Sequence, residues 1–386
     1  MRDEPKTIPM QKQAIRPASN QLRVLIAAGG TGGHVYPAIA IADALKELEA
    51  NIVIKFVGTK THMEWEAVPR AGYEIIAIWI SGFHRRFTLK NLLFPLKLIT
   101  SIVQSFKIIS SFEPHAMISC GGYAAGPVGW VAAQKNVPLF IQEQNSYPGV
   151  TNRLLARNAQ QIFTAFKEAD QYFPAGKTSL AGNPTRKTLT DVNTDEAYAH
   201  FEFMQHQQTL LVLGGSGGAK AINEAMTKNI EELHNELKLQ IIWQCGKRYY
   251  DELKTTLNTD DFKNLRLFDF LHHMPEAYAV ADVVVSRAGA LSCSELALTG
   301  NASILVPSPN VAGDHQTQNA KSMVKNEAAE LMKNADAKEL LPKLVKELMD
   351  DQQRIKKMQK AALKMARPNA ANQIAQEILE VIKENN

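Results

Sequence analysis

The sequence predicts an α/β protein of two doubly wound parallel-sheet units facing a cleft, and three observations carry that reading. Short apolar runs alternate with helical patterns from Leu22 onward. The alternation falls into two series, one starting at 22–28 and the other at Thr209-Leu210-Leu211-Val212-Leu213. Both series open alike, with an apolar strand running into glycines: Gly29-Gly30-Thr31-Gly32-Gly33 in the first and Gly214-Gly215-Ser216-Gly217-Gly218 in the second.

In order along the chain, residues 1–20 are polar, with scattered prolines and no periodicity, and read as a mobile tail. Strands are predicted at 22–28, 52–57, 75–79, 116–119, 138–142 and 161–164. The second series gives strands at 209–213, 240–244, 265–268, 282–286 and 303–306. The division falls near Asn183-Pro184, giving units 21–185 and 186–368. After about residue 316 the pattern is helical, Pro368 sets off the last helix, and 369–386 is expected to return onto the first unit.

A length of 386 residues suits two domains, and 45% hydrophobic with 21% charged residues is ordinary for a soluble globular chain. Cys120, Cys245 and Cys293 are far apart, without metal or redox spacing, and read as thiols in a reducing compartment. The N-terminus lacks the pattern of a secretory signal. The longest charge-free stretch, 116–134, holds four glycines and Pro127, so no membrane-spanning helix is expected. Residues 1–185 carry a net charge of +7 and the remainder −3. A basic half points to a phosphate-bearing or membrane-surface partner, against the alternative of a chance imbalance on a solvated surface.

The glycine turns are phosphate cradles in principle, since glycine lets the backbone approach a ligand and a helix start presents unpaired N–H groups. Familiar nucleotide motifs nevertheless fail. The dinucleotide pattern breaks at Val35 and lacks an acid after Val57-Gly58-Thr59, which argues against NAD. Gly176-Lys177-Thr178 has Gln171 where a P-loop needs its leading glycine, and no D-x-D metal motif occurs.

Polar residues that core packing does not explain cluster at strand ends: Gly121-Gly122-Tyr123, Glu143-Gln144-Asn145, Asn152, Arg287-Ala288-Gly289-Ala290 with Glu295, and Asp314-His315-Gln316 with Asn319. In open α/β sheets such loops meet in one cleft. Together with G-N-P-x-R at 182–186 and the two glycine turns, they resemble the MurG family of bacterial peptidoglycan-precursor N-acetylglucosaminyltransferases, in glycosyltransferase family 28. The resemblance runs from Leu22 over nearly the whole chain.

That resemblance implies a GT-B fold, with an acceptor domain first and a UDP-sugar domain second. It implies inverting transfer of GlcNAc from UDP-GlcNAc to the C4 hydroxyl of MurNAc in lipid I, giving lipid II. It places the enzyme peripherally on the cytoplasmic face of the inner membrane, beside the cell-wall synthesis proteins, with no fixed cofactor, no metal and no nucleic acid. Donor contacts carried over are Thr31, Gly32, Gly33, Asn145, Arg186, Gly215, Ser216, Gly217, Phe270, Leu271, Ala290, Leu291, Ser292, Glu295, His315, Gln316 and Asn319. Acceptor contacts are Gly30, His34, Tyr123, Glu143 and Asn152.

The residue chemistry stands beside this. Glu295 suits a pair of ribose hydroxyls, or a plain helix-end carboxylate. Gln316 and Asn319, three apart on a helix, suit sugar hydroxyls. Phe270 reads as a uracil contact or a core residue. His34 is the candidate general base, with phosphate binding or helix capping as its alternative and Glu143 as its rival. Leu92, Leu96, Ile99, Val103 and Phe106 follow helical spacing, which fits a core stripe or a membrane face. Nearby Trp79, Phe83, Arg85, Arg86, Phe87 and Lys90 favour anionic lipid. Two neighbouring activities stand as alternatives: a synthase sugaring diacylglycerol, which shares the donor motifs, and a UDP-sugar epimerase of the same two-domain fold, which would not need the amphipathic basic surface.

Overall fold

A computed structural model describes residues 21–82, 92–185, 189–215 and 217–384. Of the residues singled out above, the tail 1–20, Phe83, Arg85, Arg86, Phe87, Lys90, Arg186 and Ser216 lie outside the described residues.

The first sheet has seven parallel strands in the order β3-β2-β1-β4-β5-β6-β7. They are β1 (Arg23–Ala27), β2 (Val53–Gly58), β3 (Glu74–Ala77), β4 (Ala116–Ser119), β5 (Leu139–Glu143), β6 (Gln161–Thr164) and β7 (Thr178–Leu180). The second sheet is β10-β9-β8-β11-β12-β13. Its strands are β8 (Thr209–Leu213), β9 (Gln240–Gln244), β10 (Leu265–Phe268), β11 (Val283–Ser286), β12 (Ala302–Leu305) and β13 (Ala329–Leu331). All pairings are parallel, as β1 with β4 from Val24↔Ala116 to Ala27↔Ser119 and β8 with β11 from Leu210↔Val283 to Leu213↔Ser286.

Both sheets reverse their winding at the central pair, β1/β4 in one and β8/β11 in the other, so each opens a crevice beyond those strand ends. The predicted strands appear with boundary shifts of a residue or two. Two short edge strands were not predicted: β7, and β13, which interrupts the stretch read as wholly helical after 316. Three residues each are too few for a period to register.

The central strands are buried on both faces, which explains their unbroken Val, Leu and Ile runs. The chain passes between the halves twice. It crosses once at 181–185, and returns at 366–369 after the helix Gln352–Met365, which packs on the second half. The last helix, Ala370–Glu384, then lies against the helix Gly32–Leu48 of the first half. Ile374, Ala375, Ile378, Leu379 and Ile382 join the core formed by Val24, Ile26, Ile41 and Leu45. The two crossings touch: a Cβ on Gly182, whose φ is +93°, would stand 2.3 Å from Cβ of Arg367.

The final helix is therefore part of the first half's core. Ile378→Ala should lower unfolding stability by ~2–5 kcal/mol, read from urea titration.

Candidate active site

The two glycine turns occupy the two crevices. In the first half, Gly30 has φ +93°, and its N–H donates to Oε2 of Glu64 at 3.0 Å. Glu64 is fully buried, and its other oxygen accepts from Thr59 N at 3.1 Å and Thr59 Oγ1 at 2.7 Å. A Cβ on Gly29 would stand 2.9 Å from Glu64 Oε1. This carboxylate, which the sequence did not single out, props the turn from below.

The loop after β4 closes the crevice from the other side. Gly122 has φ +86°, and a Cβ there would stand 2.4 Å from Gly29 O. Beyond the turn, the backbone oxygen of Thr31 accepts from His34 N at 3.0 Å and Val35 N at 3.2 Å, starting the helix.

His34 is held by this framework. Its Nδ1 lies 3.0 Å from Gly29 O, an acceptor only, so Nδ1 carries the proton and Nε2 keeps its lone pair. The Nε2 edge faces Gly121, where a Cβ would stand 3.1 Å away, so glycine leaves room at the basic nitrogen. Burial pushes the imidazole below its ordinary value of 6.5, outweighing the attraction of Glu143; His315 across the cleft also lowers it. The ring is neutral at pH 7.

Glu143 is held by four donors. Its Oε1 accepts from Asn145 N at 3.0 Å and Asn145 Nδ2 at 3.3 Å. Its Oε2 accepts from Gly149 N at 3.1 Å and Asn152 Nδ2 at 2.9 Å. Four donors on a buried carboxylate leave it as a fixed negative charge beside His34. Asn152 is equally buried, with Ser119 Oγ donating to its Oδ1 at 3.0 Å. It orients Glu143. Tyr123 is half-exposed, packed against Gly82.

In the second half, the turn Gly214–Gly218 lines a cavity of about 760 Å³ with Lys220, Arg287, Ser292, Ser308 and Gln316. Its floor is the start of the helix Lys220–Glu231. Gln316 Oε1 accepts from Ser308 N at 2.8 Å. Arg287, named in the sequence only as part of its loop, donates through Nη1 to Val306 O at 2.8 Å and Asn334 Oδ1 at 2.6 Å. These are neutral acceptors, so the cation keeps its charge directed at the cavity.

An adjoining cavity of about 300 Å³ is lined by Phe270, Leu271, Tyr278, Arg287, Ser292 and Glu295. The hydroxyl of Tyr278 donates to Glu295 Oε2 at 3.1 Å. Phe270 is partly exposed here, so it is not a core residue, whereas Leu271 is buried. A third cavity, of about 900 Å³, runs between the halves and places Gly32 and Gly33 opposite Leu291, Ser292 and Glu295. Ser292 lines all three.

The halves are bolted together at this cleft. Asn183 Nδ2 donates to Ser294 Oγ at 3.0 Å and Ala290 O at 3.4 Å. Asn319 Oδ1 accepts from Ser146 N at 2.9 Å and Ser146 Oγ at 3.0 Å, while its Nδ2 donates to Asn145 Oδ1 and Ala288 O, both at 3.2 Å. Asn319 is 0% exposed. Every bonding position of its amide is filled by protein partners. Among the described residues, no group of three or more His, Cys, Asp or Glu is arranged to hold a metal ion.

Two mononucleotide-type crevices facing each other, one offering phosphate-sized amide and cation contacts and the other a neutral histidine, define a nucleotide-sugar transferase of the GT-B class. Residues 24–164 match the glycosyltransferase family 28 N-terminal domain and 209–374 its C-terminal domain, so the chain belongs to glycosyltransferase family 28.

Among its relatives, the UDP-N-acetylglucosamine–N-acetylmuramyl-(pentapeptide) pyrophosphoryl-undecaprenol N-acetylglucosamine transferase of Christiangramia forsetii is 43% identical, over 94% of this chain and 98% of its own length. The same-named protein of Salinibacter ruber is 44% identical over 92% and 96%. The crystal structure of Acinetobacter baumannii MurG superposes with a TM-score of 0.77 at 31% identity, covering 93% of this chain and 99% of that one. A UDP-GlcNAc 2-epimerase from Neisseria meningitidis, at 14% identity and a TM-score of 0.63, shares the fold.

Because Gly122 combines a left-handed φ with a backbone clash, Gly122→Ala should cost at least ~2 kcal/mol and displace the His34 turn. Thermal melting reads the first effect and residual transfer activity the second.

Proposed function

We propose that this chain transfers N-acetylglucosamine from UDP-N-acetylglucosamine to the C4 hydroxyl of the N-acetylmuramyl unit of lipid I, forming lipid II with inversion. The observation that carries the reading is a neutral His34, its Nδ1 fixed on Gly29 O at 3.0 Å and its ring within electrostatic reach of His315 from the other half. The full-length likeness to transferases of that name supports the choice of substrates.

In this reading residues 21–185 with the final helix receive the acceptor, and 186–368 hold the donor. The uracil lies by Phe270 and Leu271, the ribose hydroxyls meet Glu295, and the diphosphate meets Gly215, Gly217 and the helix start behind them. His315 and Gln316 face the donor from their helix. The lipid-linked diphosphate meets the Gly30 turn, with Tyr123 at the entrance.

As O4 of the acceptor attacks C1 of the donor sugar, Nε2 of His34 takes its proton. The C1–O bond to the β-phosphate breaks, and UDP leaves with the electron pair. Amide N–H groups, Arg287 and Lys220 stabilise that charge without a resident metal. The fixed charge of Glu143 stabilises the imidazolium as it forms.

The membrane side of the proposal rests on the helix Phe94–Phe112. Its stripe faces outward, with Leu96 53% and Ile99 62% exposed beside exposed Leu92, Val103 and Phe106, while Ser101, Ser105, Ile109 and Phe112 are buried. Trp79 and Trp130 are also exposed, and Lys97 and Lys135 flank the patch over Trp79 and Phe106. No helix among the described residues is long and apolar enough to cross a membrane. The stripe therefore suits lying on an anionic leaflet, the cytoplasmic face of the inner membrane.

UDP release measured with a lipid I analogue, with diacylglycerol and without acceptor tests the substrate assignment; release dependent on diacylglycerol alone would overturn it. His34→Ala should reduce turnover ~10²–10⁴-fold while UDP-GlcNAc binding persists. Since protonation removes the base, and burial sets its pKa below 6.5, the wild-type rate should hold near neutrality and fall only below pH 6.5. Ile99→Asp with Leu96→Asp should abolish sedimentation with anionic vesicles, and salt should weaken wild-type binding. Wild-type binding indifferent to both changes would contradict the membrane assignment.

A further inference from the structure

Asn319 belongs to the second half, yet its four hydrogen bonds include three to a loop of the first. What it holds there is the Asn145 amide and the Ser146 backbone. Asn145 is an intermediary: its Oδ1 accepts from Asn319, which turns its Nδ2 toward Glu143 Oε1 at 3.3 Å. Its own N–H reaches the same oxygen at 3.0 Å. Glu143 in turn is the fixed charge beside His34. On the other half, Asn319 lies one turn along the helix His315–Lys325 from Gln316, which lines the cavity at the second glycine turn and accepts from Ser308 N at 2.8 Å.

From this chain we infer that Asn319 is a positioning residue that carries the state of the donor cavity to Glu143, through the orientation of the Asn145 amide. The inference rests on the transfer reading above for its catalytic consequence. The physical basis is the asymmetry of an amide. With all four of its bonding positions filled and no exposure, Asn319 admits one orientation, and that orientation dictates which end of Asn145 faces the carboxylate. Asn319→Asp keeps an oxygen for Ser146 but sets a second oxygen against Asn145 Oδ1 and Ala288 O. An Asn145 amide that flips to meet it then turns its own oxygen toward Glu143.

Hydrogen exchange with UDP as the probe tests the coupling without any acceptor. In the wild-type chain, UDP should protect the 143–149 segment as well as the 214–218 turn. In Asn319→Asp, protection at 214–218 should remain and that at 143–149 disappear. Turnover should fall at least ~10-fold with the KM for UDP-GlcNAc little changed, as for one misdirected hydrogen bond at a reacting centre. In an Asn145→Ala background the same substitution should have no further effect.

Ser322→Ala cuts a neighbouring bond between the halves, from Ser322 Oγ to Glu168 at 2.9 Å, and should leave turnover unchanged. Ser146→Ala, which removes one donor and leaves both amides in place, should act in the direction of Asn319→Asp with smaller size, and serves if the latter does not fold. Additive effects of Asn319→Asp and Asn145→Ala would overturn the relay, as would UDP protection of 143–149 that is absent from the wild type or persists in the Asp variant. So would an equal loss from Ser322→Ala, which would mark a mere latch. A wild-type chain that shows the coupled protection but transfers no sugar to lipid I would instead sink the functional reading and leave the relay standing.

Discussion

The site depends on one steric constraint, the approach of two backbone turns across the first sheet's central pair. The turn at Gly29 and the loop at Gly122 come so close that a Cβ on Gly122 would stand 2.4 Å from Gly29 O. Only glycine satisfies both that distance and a φ of +86°. The proximity fixes Gly29 O, Gly29 O fixes Nδ1 of His34, and the bare Cα of Gly121 leaves Nε2 accessible. Glu64 completes the frame from beneath, taking the Gly30 N–H that the turn could not otherwise satisfy.

The two halves solve the same topological problem with different chemistry. Each uses a glycine turn at the carboxyl end of its first strand, where winding reverses. The first crevice is closed by a buried carboxylate network and presents a neutral imidazole. The second keeps its cations, Arg287 and Lys220, on an open cavity. The bonds between the halves include amide and hydroxyl contacts at Asn183 and Asn319, directional enough to set an angle between the sheets, with Glu168 meeting Ser322 and Lys325 further along. Such contacts hold register beside the apolar packing of Phe166 on the second half's core.

Much of the fold was legible because parallel strands buried on both faces read as unbroken apolar runs, and eleven of them announced two series. The edge strands β7 and β13 escaped notice because Thr-Ser-Leu and Ala-Glu-Leu carry no such run. At the site, residues whose role is local geometry, such as Gly29 to His34, could be read from order alone. Glu64 could not, since nothing distinguishes one acid near a helix start until the turn above it is placed. Asn152 and Asn319 illustrate another limit: an asparagine near a cleft suggests a ligand contact, and only three-dimensional placement adds the protein partners that its amide also meets. The outward stripe on the helix Phe94–Phe112 was undecidable from periodicity, because a core face and a surface face have the same spacing.

The double passage of the chain between the halves has a mechanical meaning. Two tethers placed far apart would lock the halves like a double-hinged door, leaving one axis of swing. Here the tethers lie side by side, Gly182 against Arg367, and act as one swivel. Such a pivot opposes sliding of one half past the other and leaves their relative angle to the Asn183 and Asn319 contacts at the cleft. A transferase that must bring two substrates together gains from such a joint, since one half can be adjusted against the other without parting the chain's two crossings.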